Sequence, residues 1–144
     1  MMVRLVRVSV GLLGLAAVVI GAMIYLAGPD RTATLFGWII GWATGSPAYS
    51  GGLDSANIDS EMRFYAVFWV AYGAILLREA TRPALRSRAV YLCLALFFLA
   101  GLGRILSALT IGSPDPLFVI LTWVELILPA ALALAFAVTT RPAG

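Results

Sequence analysis

Four long apolar runs organise the chain: Val8 to Ala27, Met62 to Leu77, Ala89 to Ile111 and Leu117 to Val138. Nothing more polar than Ser9 and Tyr25 breaks the first. Arg63 lies near the start of the second, Arg104 interrupts the third, and Glu125 and Pro129 interrupt the fourth. A hydrocarbon layer of about 30 Å is crossed by about 20 helical residues, each rising about 1.5 Å. Three runs reach that length. The second does so once its first turn, Ser60 to Phe64, is placed in the headgroup layer. Lipid offers backbone amides and carbonyls no partner, so each run is expected to be helical. The pattern predicts an all-α integral membrane protein, a single transmembrane domain over 1-144. Its four-transmembrane-helix bundle has helices at about 5-27, 60-78, 88-111 and 116-139. Arg4 and Arg7 ahead of an apolar run ending in Tyr25-Leu26-Ala27-Gly28 loosely fit a cleaved leader. The run exceeds the usual length of a leader's apolar segment, and it is read as a retained helix.

The stretch between the first two runs divides in two. Pro29-Asp30 reads as a helix start, with Asp30 placed to cap the amides that follow. Leu35, Trp38, Ile39 and Trp42 then fall at i, i+3, i+4 and i+7, the stripe of a short amphipathic helix in the first outer loop at about 31-43. Two tryptophans on such a stripe suit a membrane interface, where the ring is buried and the indole N–H stays wet. The stripe has two readings, a surface packed over the outer end of the bundle or an interface contact for a partner. Thr44 to Ser60, rich in Gly, Ser and Asp, reads as a flexible or partner-ordered loop. Gly45-Ser46-Pro47 recurs as Gly112-Ser113-Pro114, which hints at a two-hairpin repeat but is too short a match to establish one.

Composition agrees with the pattern: 62% of residues are hydrophobic and 12% charged, against roughly a quarter charged in soluble proteins. All ten basic residues are arginines. Arg4, Arg7, Arg78, Arg82, Arg86, Arg88 and Arg141 flank helix ends that four crossings put on one side. The other side carries Asp30, Asp54, Asp59 and Asp115 against Arg31. Loop arginines mark the cytoplasmic face, so both termini and the 78–88 loop are expected inside. The pI near 9.5 then reports topology, with anionic lipids as the basic face's partner and no nucleic acid. Arginine without lysine, with much alanine and glycine, points to a bacterium, and the expected location is its cytoplasmic (inner) membrane.

The membrane charges carry any chemistry. Arg104 and Glu125 lie at similar depths, about 9 and 12 Å in from the outer side. Arginine stays protonated in a membrane, so a carboxylate partner is expected. Glu61 and Arg63 form a second candidate pair nearer the surface. Pro129 lacks the N–H that would bond the Glu125 carbonyl, which predicts a helix kink there. With Tyr65, and with Trp69 and Tyr72 on the same face, these residues describe a buried polar cluster or possible ligand-binding site. Its competing reading is a salt bridge that fixes helix pairing. Gly14, Ala17 and Gly21 share one helix face, and Ala100, Gly103 and Ser107 share another, either of which suits close helix packing. The chain has no histidine, and Cys93 alone forms no intrachain disulfide and reads as a buried thiol. No metal, cofactor or catalytic residue is expected.

The segments Gly52-Leu53-Asp54 with Ser60-Glu61-Met62-Arg63-Phe64-Tyr65, Gly101-Leu102-Gly103-Arg104-Ile105-Leu106-Ser107, Gly112-Ser113-Pro114-Asp115-Pro116 and Glu125-Leu126 resemble a bacterial family called domain of unknown function 4345. The resemblance covers roughly residues 50 to 130. It implies a small four-helix membrane protein with polar motif positions at Glu61, Arg63, Arg104 and Glu125, and it implies no substrate. Three functions fit these features. The favoured one is a non-enzymatic accessory or stabilising subunit of a larger cell-envelope membrane complex that moves lipids, with other integral membrane subunits and lipids as partners. The second is a small-molecule or lipid-binding bundle with its polar site in the outer half. The third is a membrane enzyme acting on an apolar substrate, for which one carboxylate and one arginine are a thin constellation.

Overall fold

A computed structural model of the chain describes residues 2–82 and 87–139. Five helices follow in order: α1 (Met2–Ala27), α2 (Pro29–Thr44), α3 (Ala56–Thr81), α4 (Ser87–Thr110) and α5 (Pro116–Thr139). Three of them, α1, α4 and α5, are long and apolar enough to cross a membrane. α3 is as long as α1, with 26 residues each, or about 39 Å. It falls short in apolar character because Asp59, Glu61 and Arg63 sit in its first turns and Arg78 and Glu79 in its last. Arg86 and Arg141 lie outside the described residues.

α3 begins four residues earlier than the helix start expected at about 60. Ser55 caps it, its hydroxyl accepting the Ile58 N–H at 3.4 Å, so the polar stretch Ala56–Ser60 is already helical. α1 and α3 then run antiparallel along their whole length. Gly14 meets Gly73 so closely that a Cβ on Gly73 would stand 2.5 Å from the Gly14 carbonyl oxygen. Gly21 meets the Ala66 carbonyl in the same way, and Ala17 is buried between them. The Gly14–Ala17–Gly21 stripe thus serves the bundle itself. The α4 stripe does not: a Cβ on Gly103 would meet nothing within 4 Å, and Ala100 and Ser107 are exposed. It is Gly101 that admits α5, against Leu126 and Glu125.

The α1–α3 pair and the α4–α5 hairpin pack together at the end carrying the N-terminus. There Val10, Leu76, Val90, Cys93, Leu94, Leu132 and Phe136 form a buried cluster. Burial pairs these side chains with one another, while the outward faces carry large apolar residues such as Leu109, Ile111 and Leu134. Outward apolar faces of this extent suit lipid, where they cost nothing.

α2 folds back across the other end. Gly28, with φ of 92°, makes the corner after α1, a conformation that glycine reaches without steric cost. Pro29 follows at the first helical position, where its missing N–H is no loss. Asp30 is therefore not the cap expected of it. It lies inside the first turn, and its carboxylate turns to the 45–55 loop. At the far end, Gly45 takes the left-handed conformation and donates its N–H to the Gly41 carbonyl at 2.8 Å.

Candidate functional site

α4 and α5 run antiparallel, which brings Arg104 and Glu125 level. The Arg104 Nε donates to Glu125 Oε2 at 2.8 Å. Glu125 is 3% exposed, and Arg104 is half-buried, its guanidinium carbon 5.6 Å from the centre of the Phe118 ring. A guanidinium over an aromatic face is attracted to the ring's electron density. Pro129, fully buried one turn further on, lies inside α5, which continues as one helix to Thr139.

This ion pair lines a cavity of about 470 Å³. α1 forms one long wall, from Ser9 through Leu12, Ala16 and Ile20 to Ile24. Leu117, Leu121, Val124 and Leu128 of α5 form another, and Pro29, Thr32, Ala33 and Phe36 of α2 roof it with Leu53 of the loop. Trp69 of α3 and Phe97 of α4 close the side, in edge-to-face contact at 6.0 Å. Among its lining residues Arg104 and Glu125 carry the only charges. Thr32 lends no free donor, because its hydroxyl is given to the Gly28 carbonyl at 2.7 Å. Trp69 and Phe97 also wall a second, smaller recess between α3 and α4, about 220 Å³ in volume.

The other expected members of the polar cluster lie elsewhere. Arg63 pairs with Asp59 instead of Glu61, its Nε donating to Asp59 Oδ1 at 2.6 Å and its Nη2 to Oδ2 at 3.2 Å. Its Nη1 reaches across to the Tyr25 carbonyl at 2.5 Å, so Arg63 fastens the start of α3 to the end of α1 beside Gly28. Glu61 is exposed, and so is Tyr65, whose ring meets Phe64 edge-on. Of the Tyr65–Trp69–Tyr72 face, Trp69 alone lines the cavity. Tyr72 donates to the Cys93 carbonyl at 3.2 Å.

The 45–55 loop, expected to be flexible or ordered by a partner, is pinned by acceptors from elsewhere in the chain. Tyr49 donates its hydroxyl to Asp30 Oδ1 at 3.1 Å, and the Leu53 N–H donates to the same oxygen at 3.2 Å. The Ser50 hydroxyl and N–H both donate to Asp115 Oδ2, at 2.7 and 2.9 Å. Asp115 in turn caps α5 by accepting the Leu117 N–H at 3.0 Å. Tyr49 packs edge-on against Phe118 at 5.9 Å. Burial first, and then its hydrogen bond to the Asp30 carboxylate, push the Tyr49 hydroxyl up to about 12. Burial works to raise the Asp115 carboxyl, but the donors from Ser50 and Leu117 outweigh it and hold it below its ordinary value. α2 and the loop together therefore make a built cover over the cavity.

On α2, Leu35, Trp38, Ile39 and Trp42 all face outward. Trp42 is 85% exposed and Trp38 68%, while Pro29, Thr32, Ala33 and Gly37 form the buried face. A further buried acid escaped the sequence reading: Glu79, 4% exposed at the far end of α3, pairs with Arg82 Nη1 at 3.2 Å. Its signal was the i,i+3 spacing within an arginine-rich stretch. No group of three or more His, Cys, Asp or Glu among the described residues is placed to hold a metal ion.

The family model described as Domain of unknown function (DUF4345) matches residues 5–136, and the chain belongs to that family. The match is wider than residues 50 to 130, taking in α1 and the α2 segment as well. No curated protein and no solved structure matches the chain.

Proposed function

We propose that this member of the DUF4345 family is a four-crossing protein of the bacterial cytoplasmic membrane, both termini inside, that binds a lipid-like small molecule between its helices. One observation carries the reading: a 470 Å³ cavity with apolar walls and a single ion pair. Its size falls in the range of small-molecule sites, about 300–1,000 Å³, and so does its make-up of apolar walls with few polar groups. The place of the Arg104–Glu125 pair in the cavity wall supports a role beyond fixing α4 against α5. Gentle purification from native membrane, followed by mass spectrometry of what is retained, tests the reading. The expected result is a bound apolar molecule that is lost when Ala16→Trp fills the cavity. Equal retention by wild type and Ala16→Trp would overturn it.

The outward stripe of α2 favours a second role, that of an accessory subunit in an envelope complex that moves lipids. Two large aromatic side chains on one exposed stripe are the kind of anchors in which interface energy concentrates, often about 2 kcal/mol or more each. The changes Trp38→Ala and Trp42→Ala together should leave the bundle folded but release it from a larger assembly. Size separation of solubilised native membranes reads this directly. A wild-type chain that already migrates alone sinks the accessory role and leaves the binding role untouched.

A further inference from the structure

We infer that the ligand of this cavity is a neutral, hydroxyl-bearing lipid whose hydroxyl sits between Arg104 and Glu125. This rests on the binding role proposed above and specifies the chemistry of its polar end.

Two features of the pair select that chemistry. The first is charge. Arg104 and Glu125 compensate each other, and no other charged side chain lines the cavity. A carboxylate or phosphate would bring an uncompensated negative charge beside Glu125, and an ammonium an uncompensated positive one beside Arg104. Either is costly away from water. A neutral head leaves the compensation intact.

The second feature is hydrogen bonding. A guanidinium has five N–H donors in a fixed fork, and only Nε is committed, to Glu125 Oε2. Among the described residues, neither terminal nitrogen of Arg104 has a protein acceptor, and Glu125 Oε1 has no protein donor. The site thus offers donors and an acceptor side by side. A hydroxyl accepts from the first and donates to the second. A ketone or ester accepts only, and leaves Glu125 Oε1 without a donor.

The shape of the cavity supplies the rest. Its α1 wall runs from Ser9 to Ile24, a rise of about 22 Å, and is otherwise apolar. That extent fits an extended chain, and the walls fit hydrocarbon.

The test compares hexadecanol, hexadecanoic acid and hexadecylammonium, three probes of one chain length and three charges. The full chain is held in nanodiscs at neutral pH, with Ala16→Trp giving the background partition of each probe. Native mass spectrometry reads retention. Wild type should retain hexadecanol above background by about tenfold over either charged probe. Glu125→Gln leaves Arg104 uncompensated and should reverse the ranking in favour of hexadecanoic acid. Should that variant fail to fold, the wild-type ranking decides alone. Wild type preferring the acid or the ammonium overturns the neutral-hydroxyl assignment while the cavity keeps its binding role. Probes held no better than by Ala16→Trp overturn the binding role itself, and this inference with it.

Discussion

Removing Arg104 strands a carboxylate that is 3% exposed, whereas removing Glu125 leaves a half-buried guanidinium free to turn toward a wetter position. Breaking a buried pair from one side typically costs about 3–5 kcal/mol, most of it the uncompensated charge. Arg104→Ala should therefore lower thermal stability in detergent more than Glu125→Ala does, and the swap Arg104→Glu with Glu125→Arg should recover part of either loss. Equal losses would mean that Arg104 is as confined as its partner. At the covered end, Tyr49 offers a titration. Its hydroxyl is raised to about 12, so the bond to Asp30 is fully present below the ordinary tyrosine value of 10 and is lost as pH rises through about 12. The difference in tyrosinate absorbance between wild type and Tyr49→Phe should show one late-ionising tyrosine, and Asp30→Asn should bring it earlier. The Arg104–Glu125 pair was legible in the sequence because equal depth on neighbouring antiparallel helices leaves little choice of partner. Arg63 was misassigned to Glu61 for a physical reason. Residues two apart on a helix do not face each other, whereas Asp59 and Arg63, four apart, do. The apolar pattern starts the helix at Ser60 and leaves Asp59 before it, so the better spacing is not available to the sequence reading.

Gly73 and Gly103 set a contrast at the scale of the helix. Adding side-chain bulk to Gly73 drives it into the Gly14 carbonyl and Val18, backbone as well as side chain, so Gly73→Val should cost about 1–3 kcal/mol or part α3 from α1. Gly103→Ala meets open space and exchanges the weakest ordinary helix former for the strongest, so stability should hold or rise by up to about 1 kcal/mol. Thermal unfolding of both variants in the same detergent gives the ordering, and a Gly103 variant less stable than the Gly73 variant would contradict the packing. Sequence alone did not separate the stripes. In lipid a packed face and a lipid-facing one are both apolar, and small residues occur on each. The apolar runs also located α1, α4 and α5 closely, but they cut α3 short at Ser60. Its first turn is held by a polar cap, Ser55, and by the Arg63 clamp, neither of which adds to an apolar run. The 45–55 loop misled in the opposite sense. Its glycines, serines and aspartates read as unstructured, yet Asp30 and Asp115 lie far along the chain and supply the acceptors that pin it.

For the whole molecule, the number of crossings turns on α3, whose charged ends keep it below the apolar character of its neighbours. Its packing bears on the question independently. Contacts between α1 and α3 run from Gly28 beside Asp59 and Arg63, through Gly21 with Ala66 and Gly14 with Gly73, to Gly11 beside Ala80. In the proposed four-crossing arrangement α3 would cross alongside α1 over that whole length. Its charges fall where such a crossing tolerates them, Asp59, Glu61 and Arg63 at one end and Arg78, Glu79 and Arg82 at the other. Long charged side chains near helix ends reach the interface at little cost. Four crossings with cytoplasmic termini require Ala48 and Thr81, both exposed, to lie on opposite sides. In a Cys93→Ala background, Ala48→Cys should react with an impermeant maleimide on intact cells, and Thr81→Cys should react only after the cells are opened. Labelling at position 81 but not 48 on intact cells would invert the orientation that the arginines imply. Labelling at both would place the two ends of α3 on one side, leaving three crossings and a bundle that must have rearranged around its tightest helix pair.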